Sequence, residues 1–182
     1  MSLYKEFKNN ISKSLQKDLW KKNILAVPRV DKVVVSMGIW TLVTRKAVKD
    51  FSDLIDNLQK ITWQKPVVVN ARKSVASFKL REWMPVMLKV TLRREKAYDF
   101  LEKLNKLVLP RVRDFAWLSD KKFDGKWNYN IWFKDQSVFP ELSPEEIITP
   151  HGIQVNIWTN TTDDEEARKL LESLWIIFAK KN

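Results

Sequence analysis

Residues 67–69 read Val-Val-Val and residues 86–92 read Val-Met-Leu-Lys-Val-Thr-Leu, with Asn70-Ala71-Arg72-Lys73-Ser74-Val75-Ala76-Ser77-Phe78-Lys79-Leu80-Arg81-Glu82 in between. The two ends are rich in β-branched and apolar residues, as strands are. The middle has no helical periodicity and carries four cations against one acid. Two strands joined by a loop, with no helix to carry the chain back, pair antiparallel. A sheet of that kind buries one face and leaves the other open.

The flanks extend the pattern in both directions. Toward the N-terminus, Val43, Ala47, Phe51, Leu54, Leu58 and Ile61 fall on one face of a predicted helix. Before it, Val30 to Met37 is rich in β-branched residues and reads as a strand, and Pro28 separates it from a first helix carrying Leu3, Phe7, Ile11, Leu15 and Leu19. Toward the C-terminus, Ala97, Phe100, Leu101, Leu104 and Val108 predict a helix closed by Pro110. Tyr129, Ile131 and Phe133 alternate as a strand, as do Ile153, Val155 and Ile157. Thr162 suits the N-cap of a last helix, and Asp163 to Glu166 place four carboxylates at the positive end of its dipole. The expected architecture is α+β, a single domain over residues 1–182, with a mainly antiparallel sheet and helices packed on one face.

With 45% hydrophobic and 30% charged residues the chain is globular in composition, and its net charge of +11 calls for a polyanionic partner. The surplus is concentrated: residues 65 to 96 hold nine Lys or Arg against Glu82 and Glu95. The loop cations, mixed with Ser74, Ser77 and Phe78, suit phosphates and sugar edges more than base readout. There is no cysteine, no apolar run long enough to span a bilayer and no apolar segment within Met1 to Asn10. We therefore expect a cytoplasmic protein with no membrane partner.

Catalytic equipment is sparse. His151 has no second histidine to share a metal, and Gly38, Gly125 and Gly152 are too scattered for a phosphate-binding loop. Asp114, Asp120 and Asp124 sit in polar stretches, and the acids at 163–166 already serve a helix end. The expectation is no enzyme, no cofactor and no small-molecule substrate. Two competing readings remain, an RNA-processing enzyme and an RNA chaperone acting away from any particle.

Nine short strings occur in the order and spacing of one family: Val27-Pro28-Arg29-Val30, Ser36-Met37-Gly38, Gln64-Lys65-Pro66, Ala71-Arg72-Lys73-Ser74-Val75-Ala76, Lys89-Val90-Thr91-Leu92-Arg93, Leu109-Pro110-Arg111-Val112-Arg113-Asp114-Phe115, Phe123-Asp124-Gly125, Phe139-Pro140-Glu141 and Asp164-Glu165-Glu166-Ala167. Over nearly its whole length the chain resembles the universal large-subunit ribosomal protein family that binds 5S rRNA, the "L-five" family, of bacterial type. The resemblance implies a structural role in the central protuberance, with 5S rRNA and large-subunit rRNA as partners. It assigns 5S contacts to Ser36, Met37, Gln64, Lys65, Thr91 and Arg93. It assigns a loop facing peptidyl-site tRNA to Arg72, Lys73, Ser74, Ser77, Lys79 and Arg81. A face toward a small-subunit head protein falls to Arg111, Arg113, Asp114, Lys121 and Lys122. Ser36 departs from the family's Asn, keeping a hydroxyl and losing the amide's paired hydrogen bonds.

A second departure is systematic. Average usage of about 7% predicts roughly 12 to 13 glycines in a chain of this length. The chain has three, beside nine tryptophans. In the family's pattern Trp40, Trp63, Trp83, Trp117, Trp127 and Trp132 stand where glycine does, with Trp175 and Trp20 as further candidates; Trp158 has no counterpart there. Two explanations follow. UGA codons are read as glycine by the source cell and were translated as tryptophan, or the tryptophans are real and stack on RNA bases. The first predicts side chains exposed at turns.

Overall fold

The computed structural model describes residues 2–45, 50–112, 118–119, 122–143, 145, 147, 150–161 and 163–178. Five strands, β1 (Val30–Gly38), β2 (Val67–Asn70), β3 (Pro85–Arg93), β4 (Tyr129–Phe133) and β5 (Ile153–Thr159), form one antiparallel sheet in the order β2-β3-β1-β5-β4. The pairing expected from the central stretch is present: Val67 lies opposite Lys89 and Val69 opposite Met87, with a register shift at Asn70, opposite Pro85. The helices are α1 (residues 3–18), α2 (Trp40–Arg45), α3 (Ser52–Thr62), α4 (residues 95–108) and α5 (Asp164–Ser173). The chain is α+β, as expected. Its residues group into two compact units, and β1, β3, β4 and β5 each pass from one to the other along their length.

The first unit comprises Met1–Val33, Leu92–Ile131 and Asn156–Asn182. Ala97, Phe100, Leu101, Leu104 and Val108 are all buried along α4, as their spacing requires. Glu102 accepts from the Leu3 amide at the start of α1 (3.1 Å), and Asn105 donates to the Leu174 carbonyl at the end of α5 (2.8 Å). Tyr98 is packed by the Tyr4 and Phe7 rings, and its hydroxyl accepts from the Val30 amide at 3.2 Å. Burial pushes its phenol up to about 12.

Helix α1 departs from the expected register. A π-type turn at Phe7–Ile11 inserts one residue, so Leu3, Phe7, Ser12 and Leu15 are buried and Ile11 is only partly so. Ser12 tolerates that place because its hydroxyl donates to the Lys8 carbonyl (3.0 Å). Thr162 lies outside the described residues, and the cap of α5 is Asp163, whose carboxylate accepts from the Glu165 amide.

The second unit comprises Val34–Thr91 and Trp132–Val155. The helix expected over residues 43–61 is divided. Asp50 and Phe51 are not helical, and α3 begins at Ser52, whose amide donates to the Asp50 carboxylate (2.9 Å). That hydrogen bond holds the Asp50 carboxyl below its ordinary range. Leu54, Leu58 and Ile61 bury the inner face of α3; Ala47 lies outside the described residues.

Three helices end on a left-handed residue. The Trp20 amide donates to Lys17 O and Lys21 to Gln16 O; the Trp175 amide donates to Glu172 O and Ile176 to Leu171 O. At the end of α3 the Trp63 amide donates to Gln59 O (2.7 Å). Residues 20, 63 and 175 are all in the left-handed region.

Candidate nucleic-acid interface

Strand alternation builds the interface. In the second unit Val35 and Met37 of β1 and Leu88 and Val90 of β3 are buried, so Ser36, Lys89 and Thr91 fall on the opposite side. Ser36 and Thr91 are half-buried and Lys89 is exposed. Gln64 lies two residues beyond the end of α3, and its Nε2 donates to the Thr91 carbonyl at 3.3 Å. Thr62 fixes the approach, its hydroxyl lying 2.7 Å from Leu58 O and 3.0 Å from Gln64 O. Lys65 is exposed next to this tethered amide. Five of the six residues expected at 5S rRNA are thus at least partly accessible. The side chain of the sixth, Met37, is fully buried on the core side of β1.

The basic segment is more ordered than a solvated loop. Ala71 donates to Met84 O (2.8 Å), Val75 and Leu80 exchange hydrogen bonds of 2.9 and 3.1 Å, and the Glu82 amide donates to Ser74 Oγ (2.9 Å). The result is a two-tier hairpin finger. Arg72, Lys73, Ser74, Ser77, Lys79 and Arg81 are all exposed on it, so its charge stands in solvent.

In the first unit Asn130 and Asn156 stand between buried neighbours, while Lys32, Arg93 and Trp158 each adjoin one, Val33, Leu92 and Ile157. Arg93 lies 3.6 Å from Asp31, Asn156 donates to Asn130, and the Lys32 ammonium sits 4.0 Å over the Trp158 ring. Lys32, Lys89, Asn130 and Asn156 are candidates the sequence reading did not single out. Their signal was present as polar residues interleaved with apolar ones on β1, β3, β4 and β5.

Of the residues expected at the subunit bridge, Arg111 and Lys122 are exposed, while Arg113, Asp114 and Lys121 lie outside the described residues. Nearby, Asp124 organises a tight loop. Its carboxylate accepts from the Lys126 and Asn128 amides (2.8 and 3.1 Å) and from Asn128 Nδ2 (2.9 Å). Burial opposes ionisation of this carboxyl, but those hydrogen bonds outweigh it and hold it below the usual range. A depressed folded pKa gives stability above the unfolded value of about 3.9, lost as pH falls through the lower folded value. Amide protection of Lys126 and Asn128 should therefore hold down to about pH 4 and collapse below it. In Asp124→Ala it should be low throughout; protection that ignores the substitution refutes the assignment.

Among the described residues no group of three His, Cys, Asp or Glu could hold a metal, and no helix is long and apolar enough to cross a membrane. His151 makes a local contact, Nδ1 to Pro150 O, at 2.8 Å.

Comparison with known proteins decides the family. Residues 23–81 match the family model of ribosomal protein L5, and residues 85–178 match the model of the same ribosomal family's C-terminus. The chain belongs to the ribosomal protein L5 family. The large ribosomal subunit protein uL5 of Chromobacterium violaceum is 46% identical over 169 residues, 93% of each chain. That of Natranaerobius thermophilus is 44% identical over 177 residues, covering 97% of this chain and 98% of its own. The Syntrophotalea carbinolica protein is 43% identical over 175 residues, covering 96% and 94%. As an L5 family member of bacterial type, the chain is a structural, non-enzymatic constituent of the large ribosomal subunit, located in the ribosome in the cytoplasm.

Proposed function

We propose that this L5 family chain binds 5S rRNA through the polar side of its sheet and anchors it in the central protuberance against large-subunit rRNA, acting as a single domain. The observation that carries the reading is the alternation itself. Strand positions between buried residues hold Ser36, Lys89, Thr91, Asn130 and Asn156; Lys32 and Arg93 lie on the same strands, and Gln64 is tethered to Thr91. Cations of this kind meet phosphates, while hydroxyls and amides meet ribose and the shallow groove of an RNA helix. The exposed finger carrying Arg72, Lys73, Ser74, Ser77, Lys79 and Arg81 extends toward peptidyl-site tRNA. Arg111, Arg113, Asp114, Lys121 and Lys122 face a protein of the small-subunit head. Both assignments rest on the family resemblance, supported by the exposure of the finger and of Arg111 and Lys122.

The test is equilibrium binding of the full chain to 5S rRNA and to an unrelated structured RNA of equal length at one salt concentration. Phosphate contacts alone give equal affinity for both, so the expected result is a clear preference for 5S rRNA that survives raised salt. Equal affinities would sink the 5S assignment and favour an RNA chaperone.

A further inference from the structure

We infer that positions 20, 63, 83, 127 and 175 carry glycine in the protein as its own cell makes it, UGA being read there as glycine. Among the described residues seven that are not glycine have positive φ, and five of them are tryptophans: Trp20 (52°), Trp63 (56°), Trp83 (67°), Trp127 (63°) and Trp175 (67°). The other two are Lys79 and Arg94, drawn from all the remaining residue types. Tryptophan has no affinity for this region. Its Cβ crowds the backbone there as any L side chain does, and a bulky residue is a true outlier.

The hydrogen bonds say which residue each position wants. At the ends of α1 and α5, residues 20 and 175 occupy the first position beyond the C-cap of a complete Schellman motif, with both its bonds made. Residue 63 closes α3 in the simpler left-handed motif, with one bond back to Gln59. Residue 83 is third in the turn Arg81-Glu82-Trp83-Met84, closed by Met84 N to Arg81 O at 3.2 Å. Glu82 is not at positive φ, so the turn is of the type that requires glycine or asparagine third. Residue 127 lies two places after Gly125, itself at 71°, in the loop that Asp124 organises. These are five glycine positions by geometry.

Nor do the side chains offset the strain. Four of the five stand 92, 79, 75 and 66% exposed, at residues 20, 63, 83 and 175. Neither the ring pairs nor the cation contacts given above involve any of the five. Stacking on RNA could explain exposed indoles, but it asks nothing of the backbone and so leaves the positive φ values unaccounted for. Trp158 is the internal control. It lies within β5, is not at positive φ, and holds the Lys32 ammonium over its ring. Nothing in its backbone asks for glycine, so tryptophan, encoded by UGG, is the expected residue at 158. This inference does not depend on which RNA the chain binds.

Peptide mass spectrometry of the chain from salt-washed large subunits of the source cells tests it, together with the codons of the gene. Glycine at 20, 63, 83, 127 and 175, tryptophan at 158, and UGA and UGG codons to match are expected. Tryptophan in those five peptides, or UGG at those codons, overturns it. A second measurement compares two recoded recombinant chains, one keeping all the tryptophans and one carrying Trp20→Gly, Trp63→Gly, Trp83→Gly, Trp127→Gly and Trp175→Gly. The glycine chain should melt roughly 10–20 °C higher, or alone fold, given about one strained residue's worth at each site. An equal or lower Tm counts against the inference.

Discussion

Replacing Lys65, Lys89 and Arg93 together by alanine will weaken 5S rRNA binding by roughly a hundred- to a thousandfold near 0.1 M salt, and will flatten its salt dependence. All three are exposed, and none is part of a packed core. Each cation that neutralises a phosphate contributes roughly 0.7–0.9 to the slope of log K against log salt. Three such contacts therefore contribute about 2–3 units of slope, which at 0.1 M is the same number of decades in affinity. Arg93 adds to this, because its removal leaves the Asp31 carboxylate, 3.6 Å away, without that cation. Surface substitutions of this sort shift folding by only about 0.5 kcal/mol each, so the loss should appear in binding and not in Tm. A variant with an unchanged slope would show that these cations do not meet phosphates.

Leu58→Ala should act in the opposite way, through the fold. Leu58 is fully buried on α3, midway along the face that Leu54 and Ile61 share. Truncating it removes transfer free energy and leaves a cavity, a loss of about 2–5 kcal/mol, or a Tm lower by roughly 4–20 °C. Because α3 ends one residue before Trp63 and two before Gln64, a loosened helix also releases the amide that reaches the Thr91 carbonyl. Affinity for 5S rRNA should fall while its salt slope stays, since no charge is removed. A Tm within a degree or two of the parent would mean that α3 is not anchored by this face.

Much of this was legible because the signals are local. β-branched and apolar content marked β3 from Val86 to Leu92, alternation marked β5 from Ile153 to Ile157, and the 3–4 spacing marked α4 from Ala97 to Val108. What escaped depends on contacts distant in sequence or on backbone detail. No periodicity announces that a π-type turn will bury Ser12 in place of Ile11, or that Asp50 will start α3 at Ser52. Met37 belonged to a string that pointed to RNA, yet its parity with Val33 and Val35 places it in the core. Gln64 was picked from the resemblance, while its bond to Thr91 depends on a strand 27 residues away. The finger was visible as charge, but its Val75–Leu80 pairing was not.

If position 20 is glycine, as inferred, the left-handed end of α1 also has a genetic meaning. A glycine at position 20 spelled UGA is a stop signal to cells that keep the standard code, and such a host would release a peptide ending at Leu19. A codon chosen to end α1 would thus quarantine the gene: neighbours of ordinary code could not borrow it, and laboratory expression would require rewriting it first.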